Sequence, residues 1–160
     1  MKGFVLSNYQ LPPETFGKTI AIGKGMLEKP IQLLDGVEEV LKSLQGKYKL
    51  IVATKGDLLD QERKLEKSNL SHYFHRIEVM SDKKEKEYLK LEKHLDIIPA
   101  QLLMIGNSLK SDVLPLLEIG ANAIHISFHT AWMHEEVCLG GAQKLDFKTL
   151  RNIKELIALF

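Results

Sequence analysis

Apolar runs that alternate with segments of helical period predict an α/β fold, a parallel sheet with flanking helices. Two runs carry most of this. Residues 50–53 and 102–105 are apolar without alternation, the pattern of parallel strands buried on both faces. Between the strand segments lie stretches with apolar positions three and four apart, as in Val37, Val40, Leu41 and Leu44. Composition agrees, because 44% hydrophobic and 27% charged residues in a chain of 160 describe one ordinary globular domain. Such a chain buries roughly 70% of its unfolded surface and needs no disulfide or structural metal for its core.

The elements follow in order. Pro12 and Pro13 open a helix whose apolar positions include Phe16, Ile20 and Met26, weakened by Gly17, Gly23 and Gly25 and broken at Lys29-Pro30. Asp35-Gly36 starts a second helix that runs to Gly46. Residues 48–54 form a strand, and Asp57 caps a helix carrying Leu58 and Leu65 that ends near Asn69. A short strand at 77–80 precedes the charge-rich segment 84–95, where Tyr88, Leu91 and Leu95 share one helical face and the lysines and glutamates form a solvated outer face. A strand at 102–105, a helix over about 111–119 and a strand at 123–126 come next. Leu150, Ile153 and Ile157 give residues 147–159 the spacing of a closing helix.

Several function classes are excluded. A net charge of +1 provides no field for a polyanion, so neither nucleic acid nor a membrane surface is the expected partner. The opening residues are too short an apolar stretch for a signal peptide, and 113–133 is interrupted by Pro115, Glu118, Gly120 and two histidines, which places the protein in the cytoplasm. The one cysteine, Cys138, has no partner for an internal disulfide. His125, His129, His134, Glu135 and Cys138 are dense, but their spacing matches no strong zinc signature. A loop near the strand ends, in which His129, Thr130 and Trp132 shape a substrate pocket, is the better reading.

In open parallel sheets the chemistry lies beyond the carboxyl ends of the strands. Those ends hold Thr54-Lys55-Gly56-Asp57, Ser81-Asp82-Lys83-Lys84, Gly106-Asn107-Ser108 and Ser127-Phe128-His129. A hydroxyl, an ammonium and a polar residue with a carboxylate five positions on suit a phosphoryl group with a divalent cation. Thr54 would donate to a phosphoryl oxygen beside the N–H groups of the next helix, Lys83 would neutralise charge, and Asp112 with the Asn107 side-chain oxygen would offer oxygen ligands to Mg2+.

In this order the segments resemble the haloacid dehalogenase superfamily of phosphatases and related hydrolases. Its second motif looks like Leu50-Ile51-Val52-Ala53-Thr54, its lysine is matched by Lys83 with Lys84 as the alternate, and its fourth motif looks like the stretch from Leu103-Met104-Ile105-Gly106-Asn107 to Asp112. The resemblance implies a Rossmann-like core at residues 30–160 and a partial helical cap at 1–29. It also implies phosphate binding by Thr54, Lys55, Gly56 and Lys83, an Mg2+ site at Asp112 and Asn107, and a small phosphorylated metabolite as substrate.

Two departures qualify it. The family's Asp-x-Asp motif on the first strand supplies the nucleophile, the general acid/base and most of the metal coordination, yet no two aspartates here are separated by a single residue. Asn107 stands where the family has an aspartate, and an amide brings no charge to a cation. The chain is therefore expected to begin mid-cap, to hold a weak Mg2+ site and to be inactive alone. A missing central strand would leave two facing open edges. They would be filled by a separate polypeptide, by residues 3–6 folding back, or by exchange within a homo-oligomer. The rival reading is a non-catalytic module that binds phosphorylated ligands on the same scaffold.

Overall fold

A computed structural model describes Thr15, Gly17, Lys18, Ala21 and Gly25, residues 31–127 and residues 146–160. The chain divides into two compact units, Met1–Gln32 and Leu33–Phe160. In the first, Thr15, Gly17, Lys18, Ala21 and Gly25 are helical, and they and residues 31–32 are exposed. The expected pocket residues His129, Thr130 and Trp132, and with them His134, Glu135 and Cys138, lie outside the described residues.

The second unit alternates helices and parallel strands. Helix α1 (Val37–Leu44) buries Val40 and Leu44, one turn apart on the face that the apolar spacing marks. Strand β1 (Ile51–Lys55) pairs in parallel with β2 (Arg76–Met80), in a register that sets Thr54 beside Val79 and Lys55 beside Met80. Helix α2 (Leu58–Lys67) joins them, and the Asp57 side chain caps it by accepting from the Asp60 N–H at 3.1 Å. It buries none of its residues, so the Leu58 and Leu65 stripe is weaker than its spacing promises. Helix α3 (Glu85–Leu95) buries Tyr88, Leu91 and Glu92 and turns its other charges outward.

Strand β3 (Leu103–Gly106) pairs in parallel with β4 (Asn122–Ile126), which pairs in parallel with β5 (Lys148–Leu150). Between β3 and β4 the chain makes a π turn, Leu109–Val113, before the short helix α4 (Leu114–Glu118). A continuous α-helix from 111 is not formed. Pro115 has no N–H to give the carbonyl four residues back, that of Ser111, and its ring crowds that position. The freed Ser111 carbonyl instead accepts from the buried Tyr88 hydroxyl at 2.9 Å.

The closing helix expected at 147–159 is also replaced. Residues 148–150 form strand β5 and Ile153–Ala158 a 3-10 helix. Asn152 breaks any continuous helix here, since its side chain accepts from the Lys154 N–H while Glu155 accepts from the Asn152 N–H, each at 2.9 Å. Leu150 and Leu156 still reach the core.

Two apolar clusters flank the strands. One gathers Met80, Tyr88, Leu91, Val113, Leu116, Ala121 and Ala123, with Ala53 and Met104 packed against it. The other gathers Val40, Leu44, Ile124, Ile126, Leu150 and Leu156, with Leu50, Leu103 and Ile105 against it. Among the described residues the strands form two sheets, β1-β2 and β3-β4-β5. Ile51, Val52 and Ala53, together with all of β3, are only half-buried, where the unbroken apolar runs call for burial on both faces. Among the described residues β1 and β3 do not pair with each other, and each has one strand neighbour.

Candidate functional site

The carboxyl ends of β1, β2 and β3 converge. Gly56, at φ 136°, adopts a conformation that side chains disfavour, and it turns the chain from β1 into the Asp57 cap. Thr54, the last half-buried residue of β1, donates its hydroxyl to Gln61 Oε1 on α2 at 3.1 Å. The N–H groups expected to help Thr54 bind an anion are partly committed. Asp57 occupies that of Asp60 and sets a carboxylate at the helix start.

Asp82 organises the loop after β2. Its Oδ1 accepts from the Lys83 N–H at 3.0 Å and from Lys55 Nζ at 3.1 Å, and its Oδ2 accepts from Lys84 Nζ at 2.7 Å. The hydrogen bond from Lys84, then that from Lys55, holds the Asp82 carboxyl down at about 2. This fixes Lys83 while Lys55 and Lys84 remain exposed.

Lys83 Nζ reaches across to Asp112 Oδ1 at 2.6 Å, with both side chains largely removed from water. Asp112 Oδ2 accepts from the Ser108 N–H at 3.1 Å. The π turn and Gly106 create this arrangement together. The turn carries the Asp112 carboxylate over Gly106, where a Cβ would collide with it. Tyr88 braces the same turn through Ser111, and burial and the neighbouring Asp112 charge push its phenol well up. His125, on β4, meets the Asn107 carbonyl at 3.1 Å through Nε2. A carbonyl only accepts, so that bond requires the proton on Nε2.

The sequence-predicted residues thus separate into groups. Lys83 and Asp112 are in direct contact, and Lys55 joins them through Asp82. Thr54 and Gly56 sit at the neighbouring strand end, where Thr54 bonds to Gln61 rather than to either lysine. Asn107 is exposed beside His125. Asp82, Gln61, Tyr88 and Ser108 support the site in roles that the sequence does not assign them. Only Asp82 carried a usable signal, as a carboxylate directly before two lysines at a strand end.

The donor set does not fit Mg2+ by itself. A hard cation asks for several oxygen ligands. Asp112 is one carboxylate, already neutralised by Lys83 and engaged through both oxygens, and Asn107 is neutral. Among the described residues no group of three or more His, Cys, Asp or Glu side chains is placed to hold a metal. Nor is any described helix long and apolar enough to cross a membrane.

Comparison with known proteins places this arrangement. The haloacid dehalogenase-like hydrolase family matches residues 10–120. No curated protein matches the chain in sequence. Among solved structures, a haloacid dehalogenase-like hydrolase from Xanthomonas campestris is 30% identical with a TM-score of 0.79, over 94% of this chain and 63% of that one. A predicted phosphatase from Clostridium acetobutylicum is 24% identical with a TM-score of 0.69, over 91% of this chain and 67% of that one. A magnesium-bound hydrolase of the superfamily from Bacillus subtilis shares the fold at 19% identity and a TM-score of 0.67, over 80% of this chain and 56% of that one. The chain therefore spans less than two thirds of the Xanthomonas and Bacillus proteins. Match length, identity and the order of Thr54, Lys83 and Asp112 at three converging strand ends lead to one assignment: the chain belongs to the haloacid dehalogenase-like hydrolases.

Proposed function

We propose that these residues form the phosphate-binding half of a phosphomonoester phosphatase acting on a small phosphorylated metabolite, and that the 160 residues alone bind phosphate without hydrolysing its esters. The observation that carries this is the Lys83–Asp112 contact at 2.6 Å, next to Lys55 and the Thr54 strand end. It holds an ammonium at the crevice where parallel sheets bind ligands. Thr54 would turn its hydroxyl from Gln61 to a phosphoryl oxygen, and Lys83 would share its charge between Asp112 and the phosphate. The nucleophilic carboxylate has to come from outside these residues, because their aspartates provide no Asp-x-Asp pair. The same is true of a competent Mg2+ site.

The test has two readings of one purified, folded chain. Titration with inorganic phosphate is expected to show binding that Lys83→Ala abolishes. Hydrolysis of p-nitrophenyl phosphate with Mg2+ is expected to stay at background. Turnover that disappears in Lys83→Ala would overturn the claim of inactivity, and absence of phosphate binding would overturn the phosphate half. A second reading, a ligand-binding module without turnover in any assembly, is favoured by the neutral Asn107 at the metal position. It predicts no activity even when a strand bearing Asp-x-Asp is added.

A further inference from the structure

The Thr54 hydroxyl has a single proton, and it goes to Gln61 Oε1 at 3.1 Å. We propose that Gln61 is a positioning residue that gates Thr54: its side-chain amide takes that proton in the arrangement shown, and turns over to release it to a phosphoryl oxygen. This rests on Thr54 being a phosphate donor, as proposed above, and adds a residue that acts through Thr54.

A hydroxyl that donates to Gln61 has nothing left to donate to an anion, although its lone pairs still accept. A phosphoryl oxygen only accepts, so Thr54 can serve it only after Gln61 gives the proton up. With the amide in its present orientation, Gln61 Oε1 would then face the Thr54 oxygen, two acceptors in contact at a half-buried place. Half a turn of the amide removes the conflict. Nε2 then donates to Thr54 Oγ1, and the Thr54 proton points at the phosphoryl oxygen. The terminal torsion of a glutamine has a broad, two-fold preference, so this turn asks for no change in the backbone.

The surroundings permit the turn and give it a resting side. Gln61 lies in the first turn of α2, where its N–H donates to the Asp57 carbonyl at 3.1 Å, so the stem of the side chain is anchored beside the end of β1. Its Nε2 lies by Gly56, where a Cβ would approach it to 3.3 Å, and the glycine leaves that space open to the moving amide. Nε2 also donates to Asp60 Oδ2, but at 3.4 Å, while Lys64 Nζ holds the same oxygen at 2.7 Å. Little is therefore lost when Nε2 swings away. The turned Oε1 would face the Asp60 carboxylate, and that repulsion favours the orientation shown and restores it once the anion leaves.

The test is a double-mutant cycle, read by calorimetric titration of the full chain with inorganic phosphate at neutral pH. Gln61→Glu keeps an acceptor for the Thr54 proton and can no longer donate, whereas Thr54→Val removes the hydroxyl at nearly the same shape. Thr54→Val is expected to weaken binding about tenfold, the loss of one hydrogen bond to a charged acceptor. Gln61→Glu is expected to weaken it by that factor and by a further factor from its negative charge. In the Thr54→Val background only the charge factor should remain, so Gln61→Glu should weaken binding about tenfold less there than in the unaltered chain. Equal effects in the two backgrounds would overturn the proposal, since they would reduce Gln61 to its charge or to a structural part.

A second readout uses the unaltered chain. The NMR signals of the Gln61 side-chain amide protons should shift with phosphate along the binding curve, and should move far less in Thr54→Val at saturating phosphate. Signals that stay in place, or that move equally in both proteins, would overturn the proposal as well. Absence of phosphate binding by the unaltered chain would refute the proposed function and this inference with it. Binding with additive effects in the cycle would refute this inference alone.

Discussion

Asp112→Asn separates the two roles of the Lys83–Asp112 pair. Asp112 is 5% exposed, accepts from Lys83 Nζ at 2.6 Å and from the Ser108 N–H at 3.1 Å. Asparagine keeps an oxygen for one of these donors and loses the charge. Removing one member of a buried pair costs about 3–5 kcal/mol. Because the amide retains part of the hydrogen bonding, about 2–3 kcal/mol is expected, or a fall in Tm of about 4–12 °C for a domain of this size. Phosphate affinity should move the other way. An anion at Lys83 lies within a few ångströms of the Asp112 carboxylate, and a unit charge about 4 Å away is worth about 1 kcal/mol even in bulk water. Its removal should therefore tighten phosphate binding at least about fivefold. Calorimetric titration below the lowered Tm measures the affinity, and thermal unfolding measures the stability. Unchanged or weaker phosphate binding by a folded variant would refute the view that Lys83 is shared between carboxylate and phosphate.

Two further substitutions test the scaffold. Gly106→Ala sets a Cβ against the Asp112 carboxylate and should cost about 1–3 kcal/mol in denaturant unfolding, with phosphate binding weakened by the displaced turn. Glu92 is 4% exposed and its Oε1 has no hydrogen-bond partner, so burial raises its pKa above 4.5. For an acid shifted upward, the unfavourable contribution is absent below the unfolded pKa, grows as pH rises from there to the folded pKa and is complete above it. Glu92→Gln should accordingly stabilise the protein by about 1 kcal/mol at neutral pH and lose that advantage below the ordinary glutamate range, a contrast that paired urea titrations would resolve.

The positions of β1 and β3 were legible because their apolar runs are local signals, and the same is true of Asp57, whose cap forms as the sequence predicts. The tail was not. Leu150, Ile153 and Ile157 satisfy a helical period, yet Asn152 and Glu155 close a cap in the middle of it and Leu150 is spent on a strand. Period alone does not weigh a cap against a helix, and the outcome depends on β4 offering an open edge. The π turn could have been read from Pro115 as a lost hydrogen bond, but not where the freed carbonyl would go. That needed Tyr88, more than twenty residues earlier and brought close only by packing. At the site, position at the strand ends singled out Lys83 and Asp112 as candidates, while their mutual contact and the role of Asp82 depend on tertiary structure.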